Sequence, residues 1–324
     1  MSELLHKVYG CLLGGLIGDA MGAPVECLTY QEIEEKHGWV NTFEGAGTDD
    51  SAVKLIIIRA LMKNGGHITC DELAESFLNN REFYDLFYIP VRNMFHKLEE
   101  GIVPPLEAGY GNMQSSSSAM SISPMGIINA GNPRQAALET FDVAGLVHSG
   151  PSGFCRDAAC AMAAAVAQAL VPGTTVEEVL EAATRYLHQK SAQVMIEQIQ
   201  SAVERAKRLG DYKAFRESYN QDRLHCVISD SRETVPAAFA LFCLADGDPV
   251  KAIEYGANFG RDTDTIGSMV GALCGAFKGI EGLKPEWVKQ IEERGDEQLK
   301  LAEGLVELIR TRHAEAAKVA AYYA

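Results

Sequence analysis

Basic residues are scarce in this chain: 29 Lys and Arg stand against 44 Asp and Glu over 324 residues, a formal net charge of −15. No Lys/Arg block stands out, which argues against a nucleic-acid binder or a protein held on an anionic membrane. Eight cysteines are present, yet none pairs as C-x-x-C and none has zinc-site spacing, so neither a structural zinc nor a disulfide framework is expected. Several lie inside Ala- or Leu-rich runs, where a reduced cysteine serves as a small apolar residue. Long uninterrupted apolar runs are missing as well. The first, at 11–17, is stopped by Asp19 and follows no basic leader, so neither a signal peptide nor a membrane span is expected, and a reducing cytoplasm is the expected compartment. Period-2 strands are nearly absent, with 226–229 the only short candidate, and neither a repeat of fixed period nor a flexible linker divides the chain. An apolar share of 47% supports a sizeable core. One all-α domain spanning 1–324 is the simplest expectation.

Helical spacing dominates what is there. It predicts helices over 52–62, 135–147, 156–170, 176–188, 192–209, 235–245, 249–257, 266–277 and 296–323. Two of the apolar stretches carry glycine every fourth residue, at 10, 14, 18 and 22 and again at 267, 271, 275 and 279. That spacing puts each row on one helix face, where glycine costs roughly 1 kcal/mol per residue relative to alanine. A row of four needs a packing reason, and a tight helix crossing supplies one. Gly14, Gly15 and Gly18 also imitate a dinucleotide loop, but the preceding strand that such a loop requires is missing. Residues 101–133, rich in Gly, Ser, Asn and Pro, are expected to be a loop, either a disordered tip or a ligand-binding segment.

Two short acidic runs carry the chemistry: Thr48-Asp49-Asp50-Ser51 and Asp262-Thr263-Asp264-Thr265. Taken singly, each reads as a helix cap with acids favouring the helix dipole. A cap needs one such side chain, whereas each run offers two acids and two hydroxyls. Carboxylates this close repel one another unless a proton or a cation intervenes. Oxygen donors of this type suit Mg2+, Mn2+ or Ca2+, and four carboxylates match two divalent ions better than one. Glu26, after the Pro24 break, is a further acid that reads equally as a solvated surface group. Asp19, between glycines on an apolar helix, is a candidate partner or supporting acid. His148 follows an apolar helix and fits a structural histidine. Arg261 could pair with a carboxylate or with a substrate anion.

The segment from Gly10 through Gly14, Gly18 and Gly22 to Glu26, the Thr48-Asp49-Asp50 run, Val147-His148-Ser149-Gly150, and the segment from Asn258 through Asp262, Asp264 and Thr265 to Ala276 together resemble the ADP-ribosylglycohydrolases. The resemblance runs in order from about residue 6 to 280. It implies a compact all-α multi-helix bundle with a central binuclear metal cleft, binding two Mg2+ or Mn2+ and cleaving the bond between a ribose and its acceptor. By position, Thr48, Asp49 and Asp50 resemble the ligands of one metal, and Asp262, Asp264 and Thr265 those of the other, with Asp264 bridging. Glu26 matches the acid that orients or deprotonates the attacking water, with Asp50 the second catalytic carboxylate. The loop bearing Gly109, Gly111, Asn112, Ser117, Ser118 and Met120, with His148 and Arg261, matches the substrate-binding part. There the chain departs from the family: Ser116 to Ser121 replaces an Asn-Gly-x-Ala-Met-Arg pattern, and Arg261 stands where a small residue is usual. The implied partner is an ADP-ribosyl or smaller ribosyl compound, protein-linked or free. The alternatives are a glycohydrolase for a nucleoside or ribosyl phosphate and a non-enzymatic structural relative.

Overall fold

A computed structural model of the chain describes residues 1–295 and 297–323. It is 71% helical and has no strand among the described residues. The α-helices in chain order are α1 Glu3–Gly22, α2 Tyr30–His37, α3 Asp49–Lys63, α4 Cys70–Asn79, α5 Ile89–Glu99, α6 Ser123–Ile128, α7 Pro133–Val143 and α8 Gly153–Ala169. They continue as α9 Val176–Arg185, α10 Gln193–Leu209, α11 Tyr212–Asp222, α12 Ser231–Leu244, α13 Pro249–Ala257, α14 Thr263–Lys278, α15 Pro285–Glu292 and α16 Gln298–Ala320.

Local chemistry sets many of the boundaries. Three helices begin in capping boxes, Thr29 with Glu32, Thr69 with Glu72 and Thr175 with Glu178, so the first free amides are satisfied by side chains. The candidate strand at 226–229 folds instead as a bend and a turn leading into α12, because Asp230 caps a helix immediately after it. The predicted 235–245 helix therefore begins four residues early, at Ser231. The last predicted helix runs from Gln298 to Ala320, and its expected first residue, Asp296, lies outside the described residues. Residues 115–129 are buried, and α6 forms within them, so this segment is an inner wall and not a loop tip.

The frame is the crossing of α1 and α14. A Cβ added at Gly14 would lie 2.2 Å from the carbonyl oxygen of Gly271, and one at Gly18 would lie 2.0 Å from that of Gly267. In the reverse direction, a Cβ on Gly271 would meet the Gly14 oxygen at 2.1 Å, and one on Gly275 the Gly10 oxygen at 2.0 Å. The partners descend on one helix as they ascend on the other, so the two backbones lie antiparallel and in contact. Around this seam α1 is buried from Lys7 to Gly22, with α13 and α16 also packed on it. The stretch Glu3–Val25 is long and apolar enough to cross a membrane, but 89% of its 18-residue apolar window is buried within the fold. Lys7 lies inside because its ammonium donates to the carbonyls of Ala169 at 2.8 Å and Val171 at 3.3 Å, capping the end of α8. All eight cysteines are free, five of them buried.

The antiparallel seam has one consequence for function. It sets the C-terminal end of α1, and Glu26 beyond it, beside the N-terminus of α14, where Thr263 Oγ1 donates to the Gly22 carbonyl at 2.9 Å. Gly18→Ala is expected to lower stability by about 1–3 kcal/mol or to prevent folding, the range for overpacking a rigid contact. Gly153→Ala, at a helical position with open space, is expected to stay within about 1 kcal/mol of the parent. Urea unfolding followed by circular dichroism checks both; equal midpoints would show that the seam tolerates a methyl group.

Candidate metal centre

The second acidic run is positioned by a locked turn. Cys27 and Arg261 both take a left-handed backbone, φ 66° and 68°, that costs a non-glycine residue about 1–2 kcal/mol. They hold one another: the Cys27 amide donates to the Arg261 carbonyl at 2.8 Å, and the Arg261 amide to the Leu28 carbonyl at 2.6 Å. The Arg261 guanidinium turns to the buried Glu233, with Nη2 to Oε2 at 3.1 Å, and also donates to the His225 carbonyl. The result is that carboxylate oxygens of Glu26, Asp262 and Asp264 all lie within 4.8 Å of one another.

The first run is fixed by Asp19 of α1. Its carboxylate accepts the amide of Thr48 at 2.9 Å, the amide of Ser51 at 3.1 Å and the Ser51 hydroxyl. Gly47 is required beside it, since a Cβ there would fall 2.6 Å from Asp19 Oδ2 at a backbone φ of 85°. Thr48 then caps α3, its Oγ1 accepting from the Asp50 amide at 3.3 Å. The two runs touch directly: Thr265 Oγ1 donates to Asp50 Oδ2 at 3.2 Å, and Thr48 Oγ1 approaches Asp264 Oδ2 at 3.4 Å. Asp49 accepts the Tyr88 amide at 3.2 Å, and Ser116 Oγ donates to Asp262 at 3.3 Å. One turn along α3 from Asp50, the buried Lys54 donates to Ser268 Oγ at 3.2 Å. Burial raises the pKa of Asp19, and the hydrogen bonds from Ser51 and Thr48 together with the Lys54 charge oppose that rise.

These acids are not comfortable together. Burial raises the pKa of Asp264 to about 8, with the charges of Glu26, Asp19 and Asp49 adding to it. Burial likewise raises Asp49 to about 6, and lifts Asp50 and Asp262 well above the carboxylate range, with neighbouring acids pushing the same way. Glu26, exposed at the mouth, is raised by partial burial and by Asp19. Two like charges 4 Å apart repel by roughly 4 kcal/mol at an effective dielectric of 20, so five ionised carboxylates need an added positive charge. Two oxygens, Asp50 Oδ1 and Asp264 Oδ1, are buried without any hydrogen-bond partner. Orphaned carboxylate oxygens in an all-oxygen donor set fit a hard divalent cation.

The acids floor a cavity of about 610 Å3. Glu26, Thr48, Asp49, Asp262, Asp264, Thr265, Ser117 and Met120 line it, as the sequence anticipates, while Asp50 lies fully buried behind them. Gly109, Gly111, Asn112, Ser118, His148 and Arg261 are not among its lining residues. Asn112 clamps two backbone segments, donating to Pro90 at 3.0 Å and Val147 at 2.7 Å, and Gly109 presses on the backbone of Val147 and His148. His148 is kept neutral by burial, which lowers its pKa to about 4, and it bonds Ser118 and the Met113 carbonyl. Lys54, Ser116, Tyr88 and Arg92 were not anticipated. Of these, Ser116 appears in the sequence only within the departing 116–121 segment, and Lys54 leaves a faint trace as a cation one turn past Asp50 in a mostly apolar run that also holds Arg59.

The ADP-ribosylglycohydrolase family model matches residues 1–315. The Escherichia coli protein YegU, uncharacterized by name, is 27% identical over 306 residues, covering 86% of this chain and 90% of its own length. The ADP-ribosyl-[dinitrogen reductase] glycohydrolase of Rhodospirillum rubrum is 24% identical over 308 residues, covering 91% and 93%. Among solved structures, a chain of an ADP-ribosylglycohydrolase-related protein complex superposes with a TM-score of 0.72 at 21% identity, covering 95% of this chain and 100% of that one.

Two outcomes are expected from this geometry. Asp19→Asn leaves an amide NH2 facing backbone amides, so Mn2+ affinity is expected to fall about 10–100-fold at unchanged helical content, the usual cost of losing a residue that orients ligands. Calorimetric titration reads it, and parental affinity would remove Asp19 from the support of the site. The second concerns pH. Unfolded aspartates titrate near pH 4, whereas the folded acids hold their protons higher, to about 8 for Asp264. The folded state therefore binds more protons in that window, and by linkage the cation-free protein loses stability as pH rises through it. Thermal unfolding in EDTA and in Mn2+ is expected to diverge steadily from pH 5 to about 8; a constant gap would mean that the acids ionise without a cation.

Proposed function

Since this chain belongs to the ADP-ribosylglycohydrolase family and is a hydrolase of that family, we propose that it removes ADP-ribose from a protein side chain or a small acceptor by divalent-cation-dependent hydrolysis. One observation carries the reading: two acidic runs some two hundred residues apart meet on one cavity floor, with Glu26 at its mouth and two buried carboxylate oxygens unpartnered. Thr48, Asp49 and Asp50 would hold one cation, and Asp262, Asp264 and Thr265 a second, Mg2+ or Mn2+ by donor type. Bound there, such ions supply Lewis-acid stabilisation of negative charge and acidify a coordinated water.

The chain's own residues do the remaining work. Glu26 is the carboxylate at the mouth that borders both the cavity and the acidic floor, and its raised pKa suits a group that takes a proton from the attacking water. A bond forms from that water oxygen to the ribose carbon, the bond to the acceptor breaks, and the proton goes to the departing acceptor. Asp50 keeps Thr265 and Ser121 in place through its carboxylate and its backbone carbonyl, so the floor does not reorganise during the reaction. Leu86, Ile89, Met120 and Ile228 give the cavity an apolar lining beside the acids. A second reading, hydrolysis of a smaller ribosyl compound, is favoured by the serines at 115–118, whose hydroxyls are largely committed to bonds inside the protein.

Asp264→Asn is expected to abolish release of ADP-ribose from an ADP-ribosylated protein and to weaken Mn2+ binding, with helical content unchanged. Hydrolysis at the parental rate would sink the assignment. Release from nucleosides or ribosyl phosphates alone would select the second reading.

A further inference from the structure

The cavity has two unlike ends. Its floor is acidic, while its far wall is the entry into α5, where Leu86, Tyr88, Ile89 and Arg92 face the same space. Leu86 and Ile89 are 53% and 50% exposed, large apolar side chains left uncovered beside a polar site. Arg92 is the one basic residue on the cavity wall among the described residues. Its amide bonds the Tyr88 carbonyl at 3.0 Å, so it stands one helical turn, about 5.4 Å, beyond the residue whose own amide holds Asp49. Its guanidinium is aimed but not saturated. Nη2 donates to the Asp85 carbonyl at 2.7 Å, and the group lies 5.8 Å from the centre of the Tyr84 ring. Its other donors have no protein partner among the described residues.

The opposite wall cannot take the same role. Ser115 Oγ donates to Ser117 Oγ at 2.8 Å, Ser118 bonds His148, and Ser116 gives its amide to the Ser229 carbonyl at 2.6 Å and its hydroxyl to Asp262. Those groups are directed into the protein, and the nearby charges are carboxylates. Among the lining residues only Arg92 carries a positive charge, so a phosphate entering this cavity finds a charge partner there or at the cation sites and meets carboxylates on the floor. A guanidinium offers a phosphate two parallel charged hydrogen bonds.

We propose that Arg92 binds the phosphate of the ribosyl substrate, with Leu86 and Ile89 covering the apolar face of a base beyond it. This rests on the ribosyl-hydrolase reading above and adds what that reading lacks, a recognition element for the end of the substrate far from the reacting bond.

The test is calorimetric titration of ADP-ribose, ribose 5-phosphate and ribose into the Mg2+-loaded parent and into Arg92→Gln, Arg92→Lys and Leu86→Ala. Arg92→Gln is expected to loosen ADP-ribose and ribose 5-phosphate about ten-fold or more, the scale of a lost charged hydrogen bond, and to leave ribose unchanged. Arg92→Lys recovers part of the loss, and Leu86→Ala weakens ADP-ribose but not ribose 5-phosphate. If Arg92→Gln holds ADP-ribose as tightly as the parent, or loses ribose equally, the assignment of Arg92 falls while the ribosyl reading stands. If the parent binds none of the three compounds, both fall together.

Discussion

The contact between the backbones of α1 and α14 is the constraint on which the rest depends. Four glycines of α1 and three of α14 (Gly267, Gly271 and Gly275) let the backbones meet, with a Cβ at Gly14, Gly18, Gly271 or Gly275 falling near 2 Å from a carbonyl oxygen. Gly279, expected in the same row, lies past the end of α14 at φ 78° with its nearest neighbour at 3.4 Å. No side chain fits along the seam, so the crossing has a single register, and that register fixes which residues emerge at its ends. At one end emerge Glu26, at the mouth of the cavity, and Asp262, on its floor. Glycine's entropic cost, roughly 1 kcal/mol for each residue inside a helix, is offset by the burial of nearly all of α1. The seam is thus a stability device whose geometry is read out as a site.

The site itself works against stability. Burial and mutual repulsion raise Asp49, Asp50, Asp262 and Asp264 together, and nothing in the chain neutralises all of them. Lys54 supplies one buried positive charge, and Asp19 accepts three hydrogen bonds from the turn that presents Asp49 and Asp50. Asp19 is therefore the acid that builds the site, while its neighbours are the acids left over for a ligand. That division explains why Asp50 Oδ1 and Asp264 Oδ1 stay unpartnered in a structure that satisfies most other buried groups.

Much of this was legible in the residues. The all-α class followed from 3.6-residue spacing, and the tight crossing followed from glycines every four positions. The two acidic runs declared themselves because they exceed what a helix cap needs. What was illegible depends on contacts between distant segments. The helices α2, α4, α5, α6, α11 and α15 were missed, although α4 buries Leu73, Ala74 and Phe77 and α5 buries Val91, Met94 and Phe95 at helical spacing, so the pattern there was present and overlooked. The serines at 115–118 left two readings open, a disordered tip or a ligand-binding segment, because their polarity was visible and their partners, His148, Asp262 and Ser229, were not; the structure buries them and excludes the tip. Arg261 gave two possible readings, and only the position of Glu233 separates them.

The strain at Arg261 connects these threads. An arginine holds a backbone conformation that glycine would adopt freely, and the neighbouring Gly260 already does so at φ 91°. What makes the substitution tolerable is its side chain: the pair with buried Glu233 and the bond to the His225 carbonyl anchor the turn from outside the cavity. Glycine at the same position would relieve the strain and release the anchor together. The turn carries Asp262 and, through two backbone bonds, the segment bearing Glu26. The floor of the cavity is therefore braced on every side, by the glycine seam, by Asp19 and by Arg261. The wall at α5 is tied to the floor's acids by the hydrogen bond from the Tyr88 amide to Asp49. The wall is itself anchored, with Val91, Met94 and Phe95 of α5 buried and Pro90 held by Asn112, so floor and wall face each other across the cavity as two fixed surfaces of unlike chemistry, one acidic and one apolar with a single guanidinium.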